Sequence, residues 1–263
     1  MNILKISIVT LNLNNLDGLK KTAYSIPKLD GIEWIVIDGI STDGSLEFLS
    51  TLDRKPDILI SEKDSGIYDA MNKGIQLSHG EYVNFMNAGD FFEENFFRNC
   101  KHEFDGSSDI IYGNTLLDDG KLLKSPTNLD FFYILNKMIN HQSLFIKRNL
   151  LLKYPFNLKY KIVADWVQVF NILKHENPSL KYLNQTVCKY DTTGFSSRLD
   201  SERKNEKNVF LRSIYSDWEL KDLNKLSKIR IRNWFQLIDR AIDSKRIGNL
   251  FSLLNRLILK CRI

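Results

Sequence analysis

Between residues 5 and 90 the chain alternates short apolar runs with stretches of helical spacing, and no other feature limits its fold as much. Ile6–Leu11, Trp34–Ile37, Ile58–Ile60 and Tyr82–Met86 have the length and continuity of strands buried on both faces. Between them, apolar residues recur on one helical face. These are Leu19, Ala23 and Ile26 after the candidate cap Asp17, then Leu46, Leu49 and Leu52, then Ile67, Ala70, Met71, Gly74 and Ile75. Strands that take turns with helices at this interval pair in parallel through right-handed crossovers. The carboxyl ends of such strands share one edge of the sheet, where α/β proteins bind ligands. Asn12, Asp38 and Asp90 therefore converge there, on strands about 5 Å apart. Local roles remain open for two of them: Asp38-Gly39 is common turn chemistry, and Asp90 could cap a helix over Phe91–Cys100.

Beyond Asp90 the alternation breaks down. Ile110–Asn114 and Lys121–Leu123 flank Asp118-Asp119-Gly120, a hairpin signal. A strand is expected at Ser143–Ile146 after His141-Gln142, a helix over Asp165–Leu173 and a last strand over Leu180–Lys189. The chain thus reads as α/β, with a Rossmann-like, mainly parallel nucleotide-binding sheet over about 1–117. A mixed, irregular half follows over about 118–200, and a C-terminal α-helical extension spans 201–263. From Lys221 onward there are eleven basic and three acidic residues, a local charge of +8 within a chain of net +5. Apolar residues at helical spacing in this tail, among them Trp234, Leu237, Leu250 and Leu254, suit a membrane-surface helix or a helix packed on the main domain. A nucleic-acid contact through the tail would show steep salt dependence and is not the expected partner.

Composition excludes several other classes. Cys100, Cys188 and Cys261 have neither metal-ligand spacing nor a disulfide pattern, which fits a reducing compartment. With no signal pattern and no apolar run of membrane-spanning length, a cytoplasmic protein is expected, with peripheral association at the inner membrane face left open. No GxGxxG follows the first strand, no GxxxxGK[ST] occurs, and the four histidines lack metal-ligand spacing. Phosphates would need a hard cation held by Asp90, with Lys63 or Lys73 assisting.

Four blocks in order complete the reading: ISIVTLN at Ile6–Asn12, EWIVIDGISTDGS at Glu33–Ser45, DSGIYDAMNKGI at Asp64–Ile75 and GEYVNFMNAGD at Gly80–Asp90. Together they resemble family 2 glycosyltransferases, particularly bacterial enzymes that assemble O-antigen and colanic acid. The resemblance implies the GT-A fold and inverting transfer of a sugar from a nucleotide-diphospho-sugar, usually UDP-linked, with Mg or Mn. It implies a saccharide acceptor on a polyprenyl diphosphate. Thr10 and Asn12 would line the nucleotide pocket and Asp38 would meet the uracil, while Asp64 would bind donor hydroxyls or cap a helix. The family's metal motif, commonly DxD, stands here as Asn87-Ala88-Gly89-Asp90, so Asp90 alone keeps its acid. Ala164-Asp165-Trp166 fits the family's general base, with an N-cap as the alternative for Asp165. His141-Gln142 resembles a pair that contacts donor sugar or acceptor. Loss of the other motif acid also admits a nucleotide-sugar-binding protein without transferase activity.

Overall fold

The computed structural model describes residues 5–192 and 200–225. Its first half holds β1 (Ile6–Asn12), α1 (Leu16–Ser25), β2 (Ile32–Asp38), α2 (Ser45–Thr51), β3 (Ile58–Ser61), α3 (Ile67–Leu77) and β4 (Tyr82–Phe85). β3, β2, β1 and β4 lie side by side, all parallel. Every residue of β1 and β2 is buried, as expected of strands covered by helices on both faces. Alternate residues supply two cores. Val9, Leu11, Ile35 and Ile37 face α3 residues Met71 and Ile75, while Ile8, Trp34 and Val36 face Leu19 of α1 and Leu49 of α2. The α3 contact is close because Gly74 lacks a side chain: a Cβ there would lie 2.4 Å from Val9 Cγ1. Asn15, not Asp17, caps α1, its side chain accepting from Gly18 N at 3.1 Å.

The second half adds β5 (Phe91–Phe92), α4 (Phe96–Cys100), β6 (Ile110–Leu117), β7 (Leu122–Leu123), α5 (Phe131–Asn136), β8 (Leu144–Lys147), α6 (Arg148–Lys153), α7 (Ala164–His175) and β9 (Leu180–Tyr190). The sheet continues from β4 through antiparallel β8 and then β6, which runs parallel to β9, and ends at β5; β7 pairs with β6. The β6–β7 hairpin lies where the Asp-Gly signal places it. Phe91 and Phe92, expected as the start of a helix, instead pair with Lys189 and Cys188. Asp90 therefore does not cap a helix: α4 begins only at Phe96, after Asn95. α8 (Asp200–Ile214) packs Phe210 against Tyr160, Trp166 and Phe170, so this helix shares the main core. The tail from Leu226, with its expected membrane or packing role, lies outside the described residues, and no helix among the described residues is long and apolar enough to cross a membrane.

Candidate active site

The parallel register brings the polar strand ends together, since Asn12 pairs with Asp38 and Asp38 with Ser61. Asp38 is 0% exposed, and its carboxylate accepts from Asn12 Nδ2 (3.0 Å), Ser41 N (2.9 Å) and Ser61 Oγ (2.8 Å). Burial opposes its charge, but the hydrogen bonds from Ser41, Asn12 and Ser61 outweigh it and hold the pKa below the ordinary aspartate value. Thr10 is buried on the same face as Trp34 and accepts the indole N–H at 3.0 Å, so its hydroxyl serves the core rather than an open pocket. Asp64 lies beside this cluster, its Oδ2 3.5 Å from where a Cβ on Gly39 would stand. Its Oδ1 is buried without a hydrogen-bond partner, and burial raises its pKa against the pull of Lys73. Lys63 is exposed, and no hydrogen bond or ion pair among the described residues joins it to Asp38 or Asp90. Lys73 pairs with Glu62 at 2.8 Å. Asp69 accepts from Ser65 N at 2.9 Å and closes the first turn of α3.

A second cluster forms around the turn after β4. Gly89 takes φ +111°, a conformation that other residues rarely adopt, and so aims the chain back into the sheet at Asp90. α1 holds this turn: Asn15 Nδ2 donates to Ala88 O at 3.0 Å, and Thr22 Oγ1 lies 2.6 Å from Asp90 O and accepts from Gly89 N at 3.1 Å. Asp90 is 5% exposed. Its Oδ2 accepts from Gln142 Nε2 at 2.7 Å and its Oδ1 from Asp191 N at 2.9 Å. Burial pushes its pKa up to about 6, with the Asp191 carboxylate adding repulsion, and the two hydrogen bonds offset only part of this.

The His141-Gln142 segment is a single 3₁₀ turn pinned to β4, because Asn84 Nδ2 donates to both Gln142 O (2.9 Å) and Leu144 O (2.8 Å). From there His141 links the turn to the candidate base. Its Nε2 lies 3.1 Å from Asn87 Nδ2, and its Nδ1 lies 3.2 Å from Asp165 Oδ2. A neutral ring protonated at Nδ1 satisfies both contacts, donating to Asp165 and accepting from Asn87. Asp165 Oδ1 accepts from Trp166 N (2.8 Å) and lies 3.1 Å from the Tyr68 hydroxyl. Burial, and next the charge of Asp165, raise the Tyr68 pKa well above normal, so the phenol stays a donor. Val163, not Asp165, is the N-cap of α7, and Asp165 sits inside the first turn. Its side chain is 13% exposed, which leaves an opening toward solvent. Asp90, His141, Gln142 and Asp165 thus form one connected cluster, separate from that of Asn12, Asp38 and Asp64. Sequence reasoning missed Tyr68, Asn84 and Asp191. Only Asn84 carried a signal, as an amide inside an otherwise apolar strand.

The cluster fits a hard divalent cation. Beside the charge of Asp90, which burial leaves poorly compensated, Asn87 Oδ1 and Gln142 Oε1 are buried without hydrogen-bond partners, and Mg or Mn prefers such oxygen donors. Among the described residues no group of three or more His, Cys, Asp or Glu is placed so that it could hold a metal ion, so the donors here are mainly amide oxygens.

The parallel sheet with its polar edge and mixed second half, and the likeness to solved structures, define an α/β protein of the GT-A fold. Residues 7–172 match the family model of glycosyl transferase family 2, and the chain belongs to that family. It is 29% identical over 226 residues to a PGL/p-HBAD biosynthesis glycosyltransferase of Mycobacterium bovis, covering 82% of this chain and 84% of the relative. A putative teichuronic acid biosynthesis glycosyltransferase, TuaG of Bacillus subtilis, is 26% identical over 140 residues, 48% of this chain and 55% of TuaG. Among solved structures, S. aureus TarS 1–349 in complex with UDP superposes with a TM-score of 0.64 at 16% identity, covering 95% of this chain and 75% of that one. Mannosyltransferase PcManGT from Pyrobaculum calidifontis, in complex with GDP-Man and Mn2+, gives a TM-score of 0.58 at 15% identity, covering 97% and 85%.

Proposed function

We propose that this glycosyltransferase moves a sugar, with inversion, from a UDP-linked donor to a saccharide carried on a polyprenyl diphosphate, in assembly of a bacterial surface glycan. The supporting observation is the contact chain from Asp90 through Gln142-His141 to Asp165, which joins the family's metal motif to an acid open to solvent. Relatives named for PGL/p-HBAD and teichuronic acid biosynthesis, and neighbours solved with UDP or GDP-Man, support the substrate class.

In this reading Asn12, Asp38 and Asp64 form the nucleotide side. Asp38 acts by fixing Asn12 and the 38–41 loop, and the unpartnered Asp64 Oδ1 accepts a hydrogen bond from the donor. Thr10 supports this side through Trp34, and Lys63 reaches the phosphates from the rim. Asp90, with Asn87 and Gln142, would hold Mg or Mn, and a cation bound there would neutralise charge on the departing diphosphate. Asp165 Oδ2 takes the proton of the acceptor hydroxyl as that oxygen bonds to the anomeric carbon and the bond from this carbon to the diphosphate breaks. Protonated Asp165 then returns the proton to solvent. Tyr68 and Trp166 N hold Oδ1 and His141 steadies Oδ2, so the carboxylate keeps one lone pair free for the acceptor.

A thermal-shift screen of UDP- and GDP-sugars with and without Mn2+ tests the donor, and NMR of the product's anomeric configuration tests inversion. Stabilisation by a GDP-sugar alone refutes the UDP assignment, and a retained configuration refutes the single displacement. The reduction of the metal motif to one acid favours a second reading, a nucleotide-sugar-binding protein without transfer. Metal-dependent donor binding with no UDP release in the presence of acceptor would establish it.

A further inference from the structure

The loop before α7 carries no regular structure, yet three of its consecutive amides converge on one side chain. Lys161 N donates to Glu206 Oε1 at 2.9 Å, and Ile162 N (2.9 Å) and Val163 N (3.2 Å) donate to Oε2. Glu206 belongs to α8, more than forty residues later in the chain. The same loop is linked to Asp165 through Tyr68, since Ile162 O lies 2.9 Å from the Tyr68 hydroxyl that also reaches Asp165. Val163 caps α7, so its position sets where Asp165 enters the site. One helical turn from Glu206, Phe210 is buried against Trp166 and Phe170, and Lys207 places its ammonium 4.3 Å from the Trp166 ring centroid. α8 therefore grips both the loop that leads to Asp165 and the residue that follows it.

We propose that Glu206 is a positioning residue that sets the placement of Asp165 by binding the three amides of the 161–163 loop. Its importance for turnover rests on the reading of Asp165 as the base. A carboxylate suits this task because both of its oxygens accept, and hydrogen bonds from backbone N–H groups to an ionised acceptor are stronger than neutral ones. Displacement of a catalytic group by about 1 Å costs on the order of 100-fold in rate, so a contact remote from the chemistry can control it.

The experiment uses the full chain and needs no ligand: ¹⁵N NMR of the His141 ring reports whether Asp165 Oδ2 still accepts from Nδ1. Glu206→Ala is expected to shift His141 away from the Nδ1–H tautomer, toward the spectrum of Asp165→Asn. The double variant should match Asp165→Asn alone. Burial of Phe210 should keep α8 docked in Glu206→Ala. If that variant does not fold, Glu206→Gln, which retains one accepting oxygen, should give an intermediate spectrum. A purely structural Glu206 would lower the melting temperature and leave the His141 signals of the folded variant as in the wild type, and that result overturns the proposal. Turnover of Asp165→Asn is a separate measurement. Near-normal turnover there removes the base assignment, while the NMR still decides whether Glu206 places Asp165.

Discussion

Asp38 ends a parallel strand and Asp90 follows the turn after another, and the surroundings of these two buried acids differ. Asp38 receives hydrogen bonds from three protein groups, and its pKa is lowered despite complete burial. Asp90 receives two, faces the Asp191 carboxylate, and has its pKa raised to about 6. The carboxylate of the first is satisfied without a ligand, although Asn12 Oδ1 and Asp64 Oδ1 beside it are not. The second lacks positive charge, and an added cation would supply it. A buried acid that its own protein satisfies organises a fold, and one left short is placed for a partner.

The largest expected effect is at Asp90. Asp90→Asn should lower transfer by about 1000-fold or more, because loss of a cation at the leaving group is worth several kcal/mol. The same variant should be more stable than the wild type at pH 7 without metal. With the folded pKa near 6 and the unfolded value at 3.8, the folded state holds the extra proton between these limits. Stability from this group is therefore full below about pH 4 and is lost as pH rises through 6, a difference of about 1–3 kcal/mol that Asn removes. Melting curves of both proteins from pH 4 to 7 check the sign. Wild type and variant curves of the same shape, or full activity after chelation, would break the contrast with Asp38.

Next comes Asp165→Asn, which preserves size and removes basicity. Turnover should fall about 100-fold or more while UDP affinity stays within about twofold. Calorimetry beside steady-state rates distinguishes this from a loss of donor binding, and an unchanged rate would require another base.

What the sequence disclosed of all this depended on the range of each interaction. The edge shared by Asn12, Asp38 and Asp90 was legible because strand–helix alternation is a local signal that fixes parallel pairing, and α3 begins and ends where its apolar spacing does. β5 was not legible, since Phe92, Phe96 and Phe97 have helical spacing and only pairing with Cys188, almost a hundred residues away, makes Phe92 a strand. Tyr68 meets Asp165 across 97 residues and Glu206 meets Ile162 across 44, contacts that leave no periodic trace. The filled carboxylate of Asp38 was equally hidden: a strand-end acid looks the same in sequence whether its neighbours satisfy it or a ligand does.

Asp38→Ala provides the opposite sign to Asp90→Asn. It leaves Asn12 Nδ2, Ser41 N and Ser61 Oγ without their shared acceptor in a buried site. The cost should be about 2–3 kcal/mol, or roughly 5–10 °C in melting temperature for a chain of this size. Thermal melts at pH 7 check it, and a neutral result would mean that water replaces the carboxylate easily and that the cluster is open after all.

The smallest effect is expected at Asp64, and it tests whether the rule holds within a single cluster. Asp64 neighbours Asp38 but, like Asp90, has its pKa raised by burial, and one of its oxygens is buried without a partner. Its side chain is only partly enclosed, so solvent offsets much of the cost of its charge, and Asp64→Ala should change stability by less than about 0.5 kcal/mol. If the free oxygen accepts a hydrogen bond from the nucleotide, the same variant should lose about 1 kcal/mol of UDP binding, roughly 5-fold in affinity. Asp64→Asn retains an accepting oxygen and should recover most of that loss, whereas Asp38→Asn should not recover stability, because an amide offers one acceptor where three donors converge. Calorimetric titration of UDP into both Asp64 variants decides the matter. Equal affinity in wild type and Asp64→Ala would show that an unsatisfied buried acid at this edge can lie idle, and it would limit the contrast between satisfied and unsatisfied acids to Asp38 and Asp90.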